Sequence, residues 1–279
     1  MRKGIQLCYP FDESRLLKWN PPYIVQPKLD GDRARAIIDN YGVVTLLSSE
    51  ENEIKSVPHI NQSIEALGLH GVELDGELYT HGMNHQQIHG IASRTVNLHN
   101  RMEDLEYHIF DVVNDMQQWE RTNFLFNNIY PLLKGNLQFV QVRFANNLED
   151  VMFIYDEFIA LGYEGIIVRE FNSPYVRKRS NMVMKFKPKK DDYYTVVGYV
   201  EEISIEGIPK NSLGALVCSS GEETFNVGTG FTRDQRNDLW KVKENLIGKV
   251  VRVAYQHLTS GKNIPRFPVF SEIIWDIGE

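Results

Sequence analysis

The chain has 279 residues, 42% of them hydrophobic, enough to fill one large core or a medium and a small one. A formal net charge of −7 argues mildly against a nucleic-acid partner held by overall charge, and no apolar run reaches the ~18 residues of a membrane span. Two cysteines, Cys8 and Cys218, match no metal or redox spacing, and Met1-Arg-Lys-Gly-Ile5 is followed by no apolar signal region; a cytoplasmic protein with reduced thiols is expected.

In chain order, β-rich runs at residues 23–29, 34–39, 43–48, 72–75, 105–113 and 137–144 predict strands. Residues 147–161 predict a helix, with Val151, Tyr155, Phe158 and Ile159 as its apolar stripe, Asn147 as cap and Gly162 as stop. Strands follow one another without a helix between each pair, which points to an α+β fold rather than a doubly wound sheet. The charged stretch Lys187-Pro-Lys-Lys-Asp-Asp192 suits a linker, giving expected domains of residues 1–189 and 190–279. Beyond it, runs at 194–200, 215–219, 224–227, 249–255 and 271–275 predict short strands. Thr232-Arg-Asp-Gln235 has the spacing of a helix capping box, and Gly248 follows the helix end. That pattern fits a small β-barrel, OB-fold or SH3-like.

The strongest chemical signal is Lys28-Leu-Asp30-Gly31-Asp-Arg33, directly after the strand Tyr23-Ile-Val-Gln-Pro27. A lysine at a strand end can be a nucleophile, Gly31 permits a tight turn, and Asp30 and Arg33 can converge on a ligand. Asp-Gly is also a common hairpin dipeptide, so the motif alone leaves a charged turn open. Seven cations between Tyr175 and Lys190, with no acid among them, make either a phosphate-attracting patch or a solvated face: Arg177, Lys178, Arg179, Lys185, Lys187, Lys189 and Lys190. His81, His85, His89 and His99 lack a Cys or carboxylate at ligand spacing, so a polar surface helix is expected rather than a metal site.

Lys-x-Asp-Gly-x-Arg resembles the nucleotidylation motif of covalent nucleotidyltransferases: DNA ligases, RNA ligases and mRNA capping enzymes. Further segments resemble that family's motifs in its order: Asp75-Gly-Glu77-Leu-Tyr79, Tyr107-His-Ile-Phe110-Asp111, Glu164-Gly-Ile-Ile167-Val-Arg169, Met184-Lys185-Phe-Lys187-Pro188 and Arg266-Phe-Pro-Val-Phe270. The resemblance implies a nucleotidyltransferase domain of antiparallel sheets with flanking helices, followed by an OB-fold. It implies AMP carried covalently on Lys28, with Asp30, Lys185 and Lys187 also in the catalytic set. Gln26, Arg33, Glu77, Phe110, Ile167 and Arg266 join them as nucleotide contacts, Phe110 and Ile167 sandwiching the adenine. Glu164, with Glu77, is the expected ligand set for Mg²⁺, with Mn²⁺ as alternative. Arg177, Lys178 and Arg179 are the expected contacts to nicked duplex DNA.

ATP is the expected donor. NAD-dependent relatives resemble one another in an extra module ahead of the lysine and a four-cysteine zinc motif, and Lys28 stands near the start of a chain with two cysteines. Asn226-Val-Gly-Thr-Gly-Phe231 and Tyr255-Gln-His-Leu-Thr259 resemble the OB domain of small ATP-dependent DNA ligases, viral ones included, so the expectation is a monomeric two-domain enzyme that seals 3′-hydroxyl/5′-phosphate nicks. An RNA ligase or capping-type enzyme, GTP-dependent in the latter case, is the alternative. A non-catalytic module that keeps only the shape is another, opposed by the intact Lys28, Asp30, Glu77, Glu164, Lys185 and Lys187. Two departures stand out: Ser49 is followed by Glu50 and Glu51 where the family has a basic residue, and Ile274 and Ile277 flank Asp276 where it has basic ones. Arg266 or Lys262 is expected to supply the missing cation.

Overall fold

A computed structural model describes residues 4–187, 190–221, 223–255, 257–259 and 263–275; Lys189, Lys262, Asp276 and Ile277 lie outside the described residues. These fall into two compact units, one holding the chain up to Tyr155 with Gly162–Phe186, the other Asp156–Leu161 and the chain from Lys187 on.

The first unit carries β1 (Leu7–Pro10), α1 (Glu13–Leu16), β2 (Tyr23–Lys28), β3 (Asp32–Ile38), β4 (Val44–Ser48), α2 (Pro58–Glu65), β5 (Val72–Tyr79), α3 (His85–Ala92), β6 (Glu106–Val112), α4 (Gln118–Phe124), β7 (Leu137–Phe139), β8 (Arg143–Ala145), the first part of α5 (Leu148–Ala160, in the second unit from Asp156 on), β9 (Gly165–Glu170) and β10 (Arg179–Phe186). Its strands form two five-stranded sheets, ordered β1-β10-β9-β2-β8 and β4-β3-β5-β6-β7. β2 is buried from Tyr23 through Pro27, as a central strand covered on both faces must be. The second sheet packs Ala34, Ala36, Leu46, Leu74, Leu78, Tyr107 and Ile109 into one core with Ile60 and Ile64, which stand four apart on one face of α2.

The β-rich run at 137–144 serves two sheets rather than one strand. β7 pairs in parallel with β6, whereas β8 pairs antiparallel with β2. Between them the Val140 amide still donates to the Ile109 carbonyl at 2.9 Å, after which the chain crosses over. β-propensity alone cannot mark such a crossing, because both halves want the same backbone.

One irregularity shapes the site. β5 and β6 are in register from Leu74–Val112 to Asp75–Asp111, then resume at Gly76–Ile109, so Phe110 is an extra residue in β6. Such a bulge re-aims the side chain it carries. Gly76 lies opposite it, and a Cβ there would sit 2.6 Å from both the His108 carbonyl oxygen and the Tyr107 ring.

In the second unit, β11 (Lys190–Ile203), β12 (Pro209–Ser219), β13 (Thr224–Val227), α6 (Arg233–Lys241), β14 (Val250–Tyr255), β15 (His257–Leu258), β16 (Pro265–Arg266) and β17 (Val269–Ile274) follow. The main sheet runs β13-β12-β11-β14-β17. A parallel bridge from Thr229 to Val269, with the Phe270 amide donating to the Thr229 carbonyl at 2.8 Å, brings the last strand back to the chain just after β13. This is an OB-like barrel, filled by Val196, Leu216, Val227, Phe231, Val251 and Phe270. The expected capping box is present: Thr232 accepts from the Gln235 amide and Gln235 accepts from the Thr232 amide. The expected linker is not all linker. β11 begins at Lys190, because Asp191 pairs with Arg252 and Asp192 accepts from the Tyr255 hydroxyl across the ladder.

Gly76→Ala should lower stability by about 1–3 kcal/mol, the usual cost of forcing an extra methyl group into a filled space. Thermal unfolding of the variant checks this; an unchanged midpoint would show that the bulge has slack.

Candidate active site

Lys28 ends β2 opposite Gly165 of β9. The chain then turns through Asp30 and Gly31 into β3, passing from one sheet to the other. A side chain at Gly31 would lie 2.2 Å from the Leu78 carbonyl oxygen, so only glycine lets this turn graze β5. The Lys28 ammonium lies against the Glu164 carboxylate, with side chains 20% and 17% exposed, and 3.4 Å from the Leu29 carbonyl oxygen. Both are within reach of a solute. Ladder pairing sets Gln26 beside Ile167 and Ile167 beside Lys185, so these three and Lys28 share one face of the sheet.

On the other sheet Arg33 stands opposite Glu77 but reaches diagonally to Asp75. Its Nε donates to Asp75 Oδ1 at 2.6 Å and its Nη2 to Oδ2 at 2.5 Å, while the Tyr175 hydroxyl also donates to Oδ2. Arg33, expected at the nucleotide, holds a fully buried carboxylate with its fork, and its guanidinium carbon lies 4.5 Å from the Phe110 ring centroid. Glu77 faces Arg33 across the β3–β5 ladder. Burial pushes its carboxyl up to about 7, against the pull of Arg33 and Lys28 and with a further push from Asp75 and Asp32.

Gln26, expected at the nucleotide, is 2% exposed, and its amide is bonded to protein at both ends. Nε2 donates to the Phe110 carbonyl at 3.0 Å, and Oε1 accepts from Arg169 Nε at 2.8 Å. Arg169 continues to Asp111 and Gln118, and Arg121 donates to the same two side chains. Asp75, Asp111, Arg121, Arg169 and Tyr175 had no role expected of them from sequence. The available signal was a charge inside an apolar run, as in Ile-Phe-Asp111-Val-Val and Ile-Ile-Val-Arg169.

The basic stretch splits in two. Arg177 is a strut, with its two Nη atoms donating to Glu73 at 2.8 and 2.6 Å and Nη1 also to the Gly4 carbonyl at 2.7 Å. Lys178 is exposed, and Arg179 lies on the half-exposed Tyr9 ring, which Arg15 also covers. Lys187 follows β10, and Arg266 on β16 lies 4.6 Å from the Phe267 ring centroid within its own unit. His85 and His89 stack on exposed faces of α3 and flank Asp32 at 3.4 and 2.8 Å. Among the described residues, no three side chains are arranged to hold a metal ion.

Residues 6–187 match the ATP dependent DNA ligase domain, and residues 206–273 match a DNA ligase OB-like domain. The chain belongs to the ATP-dependent DNA ligase family. A DNA ligase of African swine fever virus is 31% identical over 265 residues, covering 87% of this chain and 61% of the viral one. One from Haemophilus influenzae is 29% identical over 203 residues, covering 71% of this chain and 70% of its own. The chain thus spans about three-fifths of the length of the viral relatives it matches. The Chlorella virus DNA ligase-adenylate superposes with a TM-score of 0.70 at 23% identity over the whole of both chains, which shows the shared fold. In this ligase-family chain, the first match encloses Lys28, Arg33, Glu77, Phe110, Glu164, Ile167 and Lys185.

The Glu77 shift has a stability signature. A carboxyl whose folded value is raised contributes most below its unfolded value near 4.5, and that contribution is lost as pH rises through about 7. Glu77→Gln mimics the protonated form, so the variant should gain on the wild type in melting temperature between pH 5 and 8. Parallel melting curves that keep a constant offset would remove the assignment.

Proposed function

We propose that this chain is an ATP-dependent DNA ligase that seals 3′-hydroxyl/5′-phosphate nicks in duplex DNA, carrying AMP on Lys28. The observation behind the reading is an amine at the end of a buried strand, held by a carboxylate and reachable from solvent, in a chain of the ligase family. Lys28 Nζ attacks the α-phosphorus of ATP; an N–P bond forms, the α–β P–O bond breaks, and pyrophosphate and the lysine proton leave. The 5′-phosphate of a nick then takes the AMP, freeing the amine. Finally the 3′-hydroxyl attacks that activated phosphate, the phosphodiester forms, and AMP departs. All three steps are in-line phosphoryl displacements, in which positioning and charge neutralisation do most of the work.

Only the unprotonated amine attacks, so the ion pair with Glu164 has to open before the N–P bond forms. Glu77 accepts from the ribose hydroxyls, and Phe110 and Ile167 bracket the base. Lys185 and Lys187, with Arg266 in place of the basic residues absent at Ile274 and Ile277, neutralise the phosphates; Asp30 orients the turn around Lys28. Glu164 is a hard oxygen donor at the nucleophile, which suits a divalent cation that takes few protein ligands and completes its shell with phosphate and water. Glu77 is the second such donor. Bound there, Mg²⁺ or Mn²⁺ would neutralise phosphate charge and polarise the α-phosphoryl oxygen.

Incubation with ATP and Mg²⁺ should add the mass of one AMP to the intact protein. Lys28→Ala and Lys28→Arg should both abolish the adduct, because a guanidinium is not deprotonated in proteins. AMP found on another lysine would overturn the assignment.

Nick binding should weaken with salt at a log–log slope of roughly −0.9 per phosphate contacted. Lys178→Gln and Arg179→Gln should each flatten that slope by about one contact. Arg177→Gln should instead lower the melting temperature, because Glu73 loses its bidentate partner. A salt-independent affinity would exclude this stretch as the DNA contact.

A further inference from the structure

We infer that Gln26 and Arg169 are positioning residues for the base-stacking ring, fixing Phe110 through its backbone rather than touching the nucleotide; this rests on the ligase reading above. A bulge gives a strand a useful kink but removes a residue from its ladder, and a buried carbonyl without a partner is costly. Phe110 is that residue in β6, and its ring is 9% exposed. Its carbonyl is met from the other sheet by Gln26 Nε2 at 3.0 Å. The amide is held in turn: Arg169 Nε donates to Gln26 Oε1 at 2.8 Å, which fixes which end of the side chain faces Phe110.

Arg169 is itself set by Asp111 and Gln118, at 3.2 and 3.3 Å from its Nη1, and its guanidinium carbon lies 5.6 Å from the Phe110 ring centroid. Gln26, Arg169, Asp111 and Gln118 are all at most 5% exposed. The chain of contacts therefore runs from a buried ion pair, through one amide, to the backbone of the ring that takes the base. Gln26 occupies the strand position two residues before Lys28, so the same strand that carries the nucleophile also sets the platform.

Stacking engages the face of a base and is indifferent to its edge. This separates positioning from direct recognition. With the wild type as control for adduct formation, Gln26→Leu should raise the KM of self-adenylation for ATP by about tenfold, in the range expected for weakening one base–aromatic stack. The KM for ITP, which differs at the base edge, should rise by a similar factor. Gln26→Glu keeps the acceptor for Arg169 and loses the donor to the Phe110 carbonyl, and should shift both in the same direction. In a Phe110→Leu background either change should add less than about twofold, the mark of two residues acting through one element. Sealing of a saturating, already adenylated nick should fall less than self-adenylation does in the two Gln26 variants.

A collapse of the ATP-to-ITP preference in Gln26→Leu would show direct reading of the base and overturn the inference. So would full additivity with Phe110→Leu, unchanged KM values, or equal loss of sealing on the adenylated nick. Failure of the wild type to take AMP from ATP would sink the ligase reading instead.

Discussion

Asp75 and Asp111 stand opposite one another on β5 and β6, both fully buried, and the wall of the site is built around that fact. Two carboxylates side by side in a ladder repel, and burial strips away the water that would screen them. Each consequently gathers its own donors: Arg33 and the Tyr175 hydroxyl for Asp75, Arg121 and Arg169 for Asp111. Those donors come from β3, from the segment before β10, from α4 and from β9. Satisfying two charges thus draws both sheets and a helix into one arrangement. Removing one partner from such a pair leaves an uncompensated buried charge, worth about 3–5 kcal/mol.

This explains what could be read from the chain and what could not. The strand end at Lys28 and the turn at Gly31 were legible because their signals are local. The barrel helix was legible because Thr232 and Gln235 cap it within a single turn. The protein partner of Arg33 was hidden, since its diagonal reach to Asp75 depends on how β3 pairs with β5. The partner of Gln26 was hidden for a similar reason. Its amide meets Phe110, 84 residues away, and no pattern inside β2 indicates that. The crossing between β7 and β8 and the start of β11 at Lys190 were hidden because propensity describes segments, whereas pairing describes their neighbours.

The charge balance also looks different once the partners are known. Much of the positive charge in the first unit is committed internally, as where Arg35 and Arg177 meet Glu51 and Glu73 around the Gly4 carbonyl. Glu51, the second of the two acids after Ser49, is one of those partners, with both oxygens on Arg35 Nη2. The cations left at the surface of the stretch, such as Lys178, are fewer than composition suggests.

The extra residue in β6 bears on how this strand can change over evolution. In a regular ladder, losing one residue flips every later side chain to the opposite face. Here a deletion at Phe110 would do something different: it would repair the ladder, leaving Asp111 paired with Asp75 and Ile109 with Gly76 while erasing the ring. The strand could become more regular and lose its platform in one event. β6 is thus constrained in length at Phe110 as well as in identity at Asp111.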